Sequence, residues 1–180
     1  MDVDAPTTPS ILVGFNDSDA AEAALSWAAE EARTIGARVE VLWVLPAAVA
    51  WELAAIQVDP EKRRRQMEDR LRKICARRLG TAGVPYMTLV REGSPTALLL
   101  HEADRVGARM IVVGTSHGGP VRDLLMGSVP HELAYRSSRP VVTVPASWRP
   151  TPHRAARATV ADDDHPSRQT MARLALRPER

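Results

Sequence analysis

Short apolar runs alternate with longer segments of helical periodicity along most of the chain. Runs rich in Val, Ile and Leu predict five strands, at residues 11–15, 39–45, 86–90, 110–114 and 140–144. Between them, apolar residues recur every three or four positions and predict helices over 18–35, 61–79, 95–106 and 127–135. Strands that alternate with helices indicate an α/β fold, with right-handed crossovers, an open parallel sheet and helices on both faces.

Residues that cap or stop helices sit at several of the predicted boundaries. Ser18 is a typical N-cap for the Ala-rich helix that follows, and Gly36 is a typical stop. Ser94 followed by Pro95 predicts another helix start, with Ser94 as the cap. The stretch 46–60 has no clear period, and we expect it to be irregular.

The last part of the chain differs in composition from the rest. Residues 149–180 hold four Pro and seven Arg, with few large apolar side chains before Met171. Such a composition cannot bury enough apolar surface to fold alone. We therefore predict a flexible N-terminus over 1–8, one folded domain over 9–147 and a disordered tail over 148–180.

The net positive charge of the chain comes from that tail. The whole chain has a net charge of +2 and a pI near 9.1. Residues 149–180 carry seven basic and four acidic residues, whereas residues 1–148 carry 17 basic and 18 acidic ones. The basic run in 61–79 lies on one face of an amphipathic helix, which is typically the solvated face. Because no nucleic-acid-binding signature accompanies it, we do not expect a nucleic-acid partner.

Other function classes are disfavoured by what the sequence contains. A single cysteine, Cys75, excludes an internal disulfide framework and favours a reducing compartment. No apolar run approaches the roughly 20 residues of a membrane span, and the acidic N-terminus does not resemble a signal peptide. We therefore expect a cytoplasmic protein with no membrane partner.

The loop after the fourth predicted strand carries the strongest functional signal. It runs from Gly114 to Ser128 through small and flexible residues, and it ends at the start of a helix. Ligands of open parallel sheets bind outside the carboxyl ends of the strands. Backbone N–H groups at a helix start favour an anion, so this loop predicts a phosphate site. Its candidate residues are Gly114, Thr115, His117, Gly118, Gly127, Ser128 and Val129.

The same loop resembles a motif of the universal stress protein family. Gly114, Gly127 and Ser128 fall on that family's Gly, two residues, Gly, nine residues, Gly, Ser/Thr spacing. The opening ILVGFNDSDAAEAALSWAAEEA and the closing GSVPHELAYRSSRPVVTVP extend the resemblance over about 1–146. His117 replaces the second motif glycine, and Asn16 stands where the family usually has Asp.

The resemblance implies a fold, a ligand and an assembly. The implied strand order is 3-2-1-4-5, with a homodimer formed by pairing of the edge strand 141–144. The implied ligand is ATP or a related adenine nucleotide, with or without magnesium, in a site between the first and fourth strands. Asn16 and Val44 would lie near the adenosine, and the site further includes Phe15, Asp17 and Ser18.

Two functions remain open at this point. The first is a stress-responsive regulator that binds nucleotide without being an enzyme, with at most slow, incidental ATP hydrolysis. No nucleophile elbow or Walker loop is present in the sequence to suggest dedicated catalysis. The second is a dimeric protein-interaction module of the same fold that no longer binds nucleotide.

Overall fold

A computed structural model describes residues 8–115 and 128–150. The strands are β1 (Ser10–Phe15), β2 (Arg38–Pro46), β3 (Tyr86–Gly93), β4 (Ala108–Thr115) and β5 (Val141–Pro145). The helices are α1 (Asp19–Ile35), α2 (Ala47–Ala55), α3 (Pro60–Cys75), α4 (Pro95–Arg105) and α5 (Ser128–Arg136). The predicted termini 1–8 and 148–180 lie largely outside the described residues and stay predictions.

All the strands pair in parallel in one sheet of order β3-β2-β1-β4-β5. This confirms both the predicted fold class and the implied strand order. The chain winds outward from β1 in both directions, so the connection direction reverses between β1 and β4. In such sheets a crevice forms at that point, outside the carboxyl ends of the strands.

Two apolar clusters fill the space between the sheet and its helices. On one face, alternate residues of β1 and β2 pack against α1 and α3, as Val13, Val41 and Leu71 do. On the other face, residues such as Leu12 and Leu42 pack against α4 and α5. Side chains of a strand point alternately to the two faces, and this sheet is covered on both, so its central strands are apolar along their length.

The boundaries of α1 match the sequence prediction. Ser18 has extended backbone angles, and its side chain accepts a hydrogen bond from the Ala21 N–H at 3.2 Å. Gly36 ends the helix with a φ of 65°, a left-handed conformation that glycine adopts without strain. Small Ala side chains cover the buried face of α1, which lets the helix approach the sheet closely.

Three local predictions need correction. The stretch expected to be irregular contains α2, a nine-residue helix none of whose residues is buried, with Trp51 largely exposed. The helix expected over 61–79 is α-helical over Pro60–Cys75 and continues as a π-helical turn over Ala76–Gly80. Ser94 precedes α4 but makes no capping hydrogen bond with its side chain.

The missed helix α2 has a physical cause. The side chains of α2 are apolar almost throughout, and a helix without a polar face has no helical period for a sequence pattern to reveal.

Within the described part of the chain, no helix is long and apolar enough to cross a membrane.

Candidate functional site

A cleft of about 340 Å³ opens at the carboxyl ends of β1, β2 and β4. This volume lies within the ordinary range of small-molecule sites, roughly 300 to 1,000 Å³. Its lining comes from both sides of the point where the strand order reverses. The residues are Gly14, Phe15, Asn16, Leu42, Trp43, Val44, Leu45, Pro46, Pro95, Leu99, Val113, Gly114, Val129 and Pro130.

The two sides of the cleft differ in chemistry. On the β2 side the lining is apolar, with Leu42, Val44 and Leu45 beside Leu99 of α4. On the β4 side the lining is Gly114 and the first turn of α5, represented by Val129. The first turn of a helix has unpaired N–H groups and the positive end of the helix dipole, which favours an anion.

Gly114 makes the closest backbone approach at this edge of the sheet. A Cβ atom on it would lie 2.4 Å from the Ala20 carbonyl carbon and 2.6 Å from the Ala21 nitrogen. Real Cβ atoms do not come so close to a backbone, so β4 and the first turn of α1 can touch only because residue 114 has no side chain. The motif glycine therefore has a packing role here that needs no ligand.

Asn16 lies directly after β1, and its side chain is held by the start of α1. The Ser18 hydroxyl donates to Asn16 Oδ1 at 2.7 Å, and the Ser18 backbone N–H donates to the same oxygen at 3.4 Å. The residue remains exposed and lines the cleft. Its backbone position is thus fixed by β1, and its side-chain orientation by the cap of α1.

Asp17 does not line the cleft and is paired elsewhere. Both of its carboxylate oxygens contact the Arg70 guanidinium of α3, at 3.0 Å from Nε and 2.7 Å from Nη2. Its φ of 61° is left-handed, a conformation that Asp tolerates better than most residues. The ion pair therefore ties the turn between β1 and α1 to α3 and neutralises a charge close to the cleft.

The structure brings together five of the predicted site residues along the cleft wall. These are Phe15, Asn16, Val44, Gly114 and Val129. Thr115 ends β4, and Ser128 begins α5, whereas Ser18 serves as the cap of α1. His117, Gly118 and Gly127 lie outside the described residues.

Most of the apolar wall was missed by sequence reasoning. Leu42, Leu45, Pro46, Leu99 and Pro130 line the cleft, yet each has an ordinary place in a strand, helix or turn. A parallel strand buried on both faces is apolar throughout, so its sequence does not distinguish a core residue from a lining residue. The available signal was position, since the last residues of β2 must lie at the edge where ligands bind.

None of the described residues that line the cleft has a titratable side chain. Burial raises the pKa of the Cys75 thiol to about 12, and Cys75 is the last residue of α3, with its side chain in the core. A thiol with so high a pKa is a poor nucleophile near neutral pH. In the described part of the chain, no group of His, Cys, Asp and Glu side chains could hold a metal ion.

Comparisons with known proteins agree with this architecture. The model of the universal stress protein family matches residues 8–145. A universal stress protein of Mycolicibacterium smegmatis is 32% identical over 148 residues, covering 79% of this chain and 50% of the relative. This chain therefore spans half the length of that relative.

Solved structures from Archaeoglobus fulgidus have the same fold. One universal stress protein is 26% identical with a TM-score of 0.57, covering 76% of this chain and 93% of the other. Another, described as a complex with dAMP, is 24% identical with a TM-score of 0.55, covering 77% and 98%. Because the family model matches well over half of the chain, this chain belongs to the universal stress protein family.

Proposed function

We propose that this chain binds an adenine nucleotide in the cleft and acts as a regulatory binding protein. The observation that carries the proposal is the cleft itself, which lies where parallel sheets bind ligands. One end of the cleft is apolar, and the other end is formed by Gly114 and the N-terminus of α5. A nucleotide has the matching polarity, with an apolar base at one end and anionic phosphates at the other. The dAMP bound by a universal stress protein of the same fold supports the choice of nucleotide.

In this arrangement the base packs against the wall formed by Val44, Leu45 and Leu99, and the phosphates lie toward Gly114 and the first turn of α5. ATP, with or without magnesium, is the ligand that we propose. The Ser128 and Val129 N–H groups at the start of α5 would then meet the phosphate oxygens.

Val129→Asp tests this placement. Isothermal titration with ATP and magnesium, and with AMP, is expected to show binding to the unaltered chain and at least about a tenfold loss for the variant. The reason is that a carboxylate in the first turn of α5 repels phosphate. The favourable interaction of an acidic residue with the helix dipole offsets part of the packing that the half-buried Val129 side chain loses.

His131→Asp is the matched control, because it adds the same charge to the same turn at an exposed position that does not line the cleft. We expect it to bind within about threefold of the unaltered chain, since an exposed charge is screened by solvent and salt. Equal losses of nucleotide affinity in both variants would show that the phosphates do not bind in the cleft beside Val129. No binding of either nucleotide to the unaltered chain would overturn the proposed function.

We further propose that binding, not catalysis, is the activity. Of the described lining side chains, Asn16 and Trp43 carry polar atoms, and neither is an acid or a base at neutral pH. Such side chains can orient a nucleotide but cannot transfer a proton to or from it. ATP turnover well above the rate in buffer alone, with a matching loss in Val129→Asp, would contradict this part of the proposal.

We also propose a homodimer formed through the free edge of β5. The Ile111 N–H donates to the Pro140 carbonyl at 2.9 Å, and the alternation of a parallel ladder then leaves the Thr143 N–H pointing away from β4. Unpaired edge groups of this kind template strand pairing.

Thr143→Pro removes one outward N–H at an exposed position where proline is tolerated, so we expect it to shift the chain toward monomer in sedimentation velocity. Thr143→Ser retains the N–H and is expected to stay dimeric. A Thr143→Pro variant that sediments like the unaltered chain would rule out pairing at β5.

A further inference from the structure

The amide of Asn16 has a fixed orientation. Ser18 Oγ accepts the Ala21 N–H at 3.2 Å, so its own hydrogen is free to be donated, and it points to Asn16 Oδ1 at 2.7 Å. The Ser18 backbone N–H points to the same atom at 3.4 Å. Two donors can be accepted by the oxygen of the amide but not by its nitrogen, which decides the assignment of the two atoms. The NH2 group of Asn16 is therefore the part left for a ligand.

The order of the strands places this donor in the middle of the cleft. β1 lies between β2, which supplies the apolar wall, and β4, which leads to α5. Neighbouring strands are about 4.8 Å apart, so the two ends of the cleft are separated by about 10 Å. In a nucleotide, the sugar is the part that joins base to phosphate over such a distance. Asn16 consequently faces the sugar of a nucleotide that spans the cleft.

We infer that this cleft accepts adenine nucleotides that carry a second phosphate on the 2′ or 3′ oxygen of the ribose, with the Asn16 amide donating to that phosphate. The inference rests on the proposed nucleotide binding and narrows its ligand class. A carboxylate at this position would hydrogen-bond the ribose hydroxyls and repel a phosphate, as acidic residues beside a ribose do in dinucleotide-binding folds. A neutral amide N–H instead donates to a phosphate oxygen and does not repel the phosphate charge.

The nearest carboxylate on the same turn does not reverse this preference. Both carboxylate oxygens of Asp17 contact the Arg70 guanidinium, so its charge is neutralised by an ion pair whose two members do not line the cleft. The described lining of the cleft contains no acidic residue. The electrostatic environment at the sugar position is therefore compatible with an added dianion.

Asn16→Asp is the decisive variant, because it has the same shape and can still accept from Ser18. AMP, adenosine 2′,5′-bisphosphate and adenosine 3′,5′-bisphosphate would each be titrated into the full chain and the variant at one fixed salt concentration. We expect the unaltered chain to bind at least one bisphosphate as tightly as AMP or more tightly. In Asn16→Asp, that bisphosphate should weaken by about tenfold, the usual effect of one charged hydrogen bond, while AMP stays within about threefold.

The outcomes separate this inference from the proposed function. An unaltered chain that binds AMP but rejects both bisphosphates overturns the inference and leaves nucleotide binding in place. A bisphosphate that binds equally well to both proteins overturns the role of Asn16. A chain that binds none of the three overturns the proposed function, and the inference falls with it. Thermal unfolding of both proteins verifies that each is folded during the titrations.

Discussion

Gly114→Ala is expected to lower the free energy of unfolding by about 3 kcal/mol, the upper end of the range for overpacking a tight contact. The new Cβ would lie 2.4 Å from the Ala20 carbonyl carbon and 2.6 Å from the Ala20 oxygen. These are backbone atoms of a helix, so no change of rotamer relieves the clash, and either α1 or β4 must move. Urea denaturation followed by circular dichroism measures the difference.

Gly80→Ala is the matched control for Gly114→Ala. A Cβ atom at Gly80 has the Tyr86 Cε1 atom at 3.9 Å as its nearest neighbour, which is ordinary van der Waals contact. We expect this variant to unfold within about 0.5 kcal/mol of the unaltered chain, as surface substitutions usually do. Equal free energies of unfolding for the two variants would show that α1 does not approach β4 as closely as described.

This prediction changes what a nucleotide titration of Gly114 variants can reveal. A loss of binding in Gly114→Ala would follow from displacement of α1 even if the ligand never touched residue 114. The Ser18 cap and the Asn16 side chain belong to the same helix start, so they would move with it. Val129 is the better position for testing the ligand, because it lines the cleft without making that backbone contact.

The sequence was sufficient to predict the sheet because a buried parallel strand has an unmistakable apolar pattern. Val13, Val41 and Val112 are fully buried, and each belongs to a predicted strand. The helix α2 could not be predicted, since its exposed apolar side chains contradict the rule that a surface helix shows a polar face. Contacts between distant segments, such as Asp17 with Arg70, depend on how α3 lies against the turn and leave no pattern in the sequence.

Part of the candidate site could be predicted for a similar reason. Gly114 follows from the rule that strand ends face the ligand, which needs only the strand boundaries. Asn16 and Val44 are predicted from the resemblance to the universal stress protein family. The packing role of Gly114 could not be foreseen, because it depends on the Ala-rich helix approaching to within a backbone contact. The orientation of the Asn16 amide depends on the direction of one hydroxyl hydrogen bond, which only coordinates reveal.

Glu40→Met is expected to raise the free energy of unfolding by about 1 to 2 kcal/mol, the opposite sign to Gly114→Ala. The side chain of Glu40 is 2% exposed on the sheet face that packs against α4, and its Oε2 atom has no hydrogen-bond partner. Its ion-pair partners are Arg38 at 3.2 Å and Arg105 at 3.6 Å, both about half exposed. Neither would become a buried unpaired charge, because Arg38 can be hydrated and Arg105 remains paired with Glu102. Replacing a buried ion pair by apolar side chains of similar volume is often stabilising, and here the carboxylate is the buried member of both pairs, so its removal leaves no buried charge behind. A destabilised variant in urea denaturation would show that the two ion pairs outweigh the desolvation of the carboxylate.

Glu102 provides the contrast, because its buried carboxylate is well partnered. Hydrogen bonds from the Arg105 side chain hold the pKa of this carboxyl below its ordinary value. A depressed folded-state pKa gives stability that is fully present above the unfolded pKa of about 4.3 and disappears as the pH falls through the folded pKa. Glu102→Gln imitates the protonated form, so it should lower the free energy of unfolding at pH 7 by about 1.5 kcal/mol, the low end for a charged hydrogen bond. The difference should vanish toward pH 3 in denaturation measured across that range, and a difference independent of pH would show that the Arg105 contact contributes through packing alone.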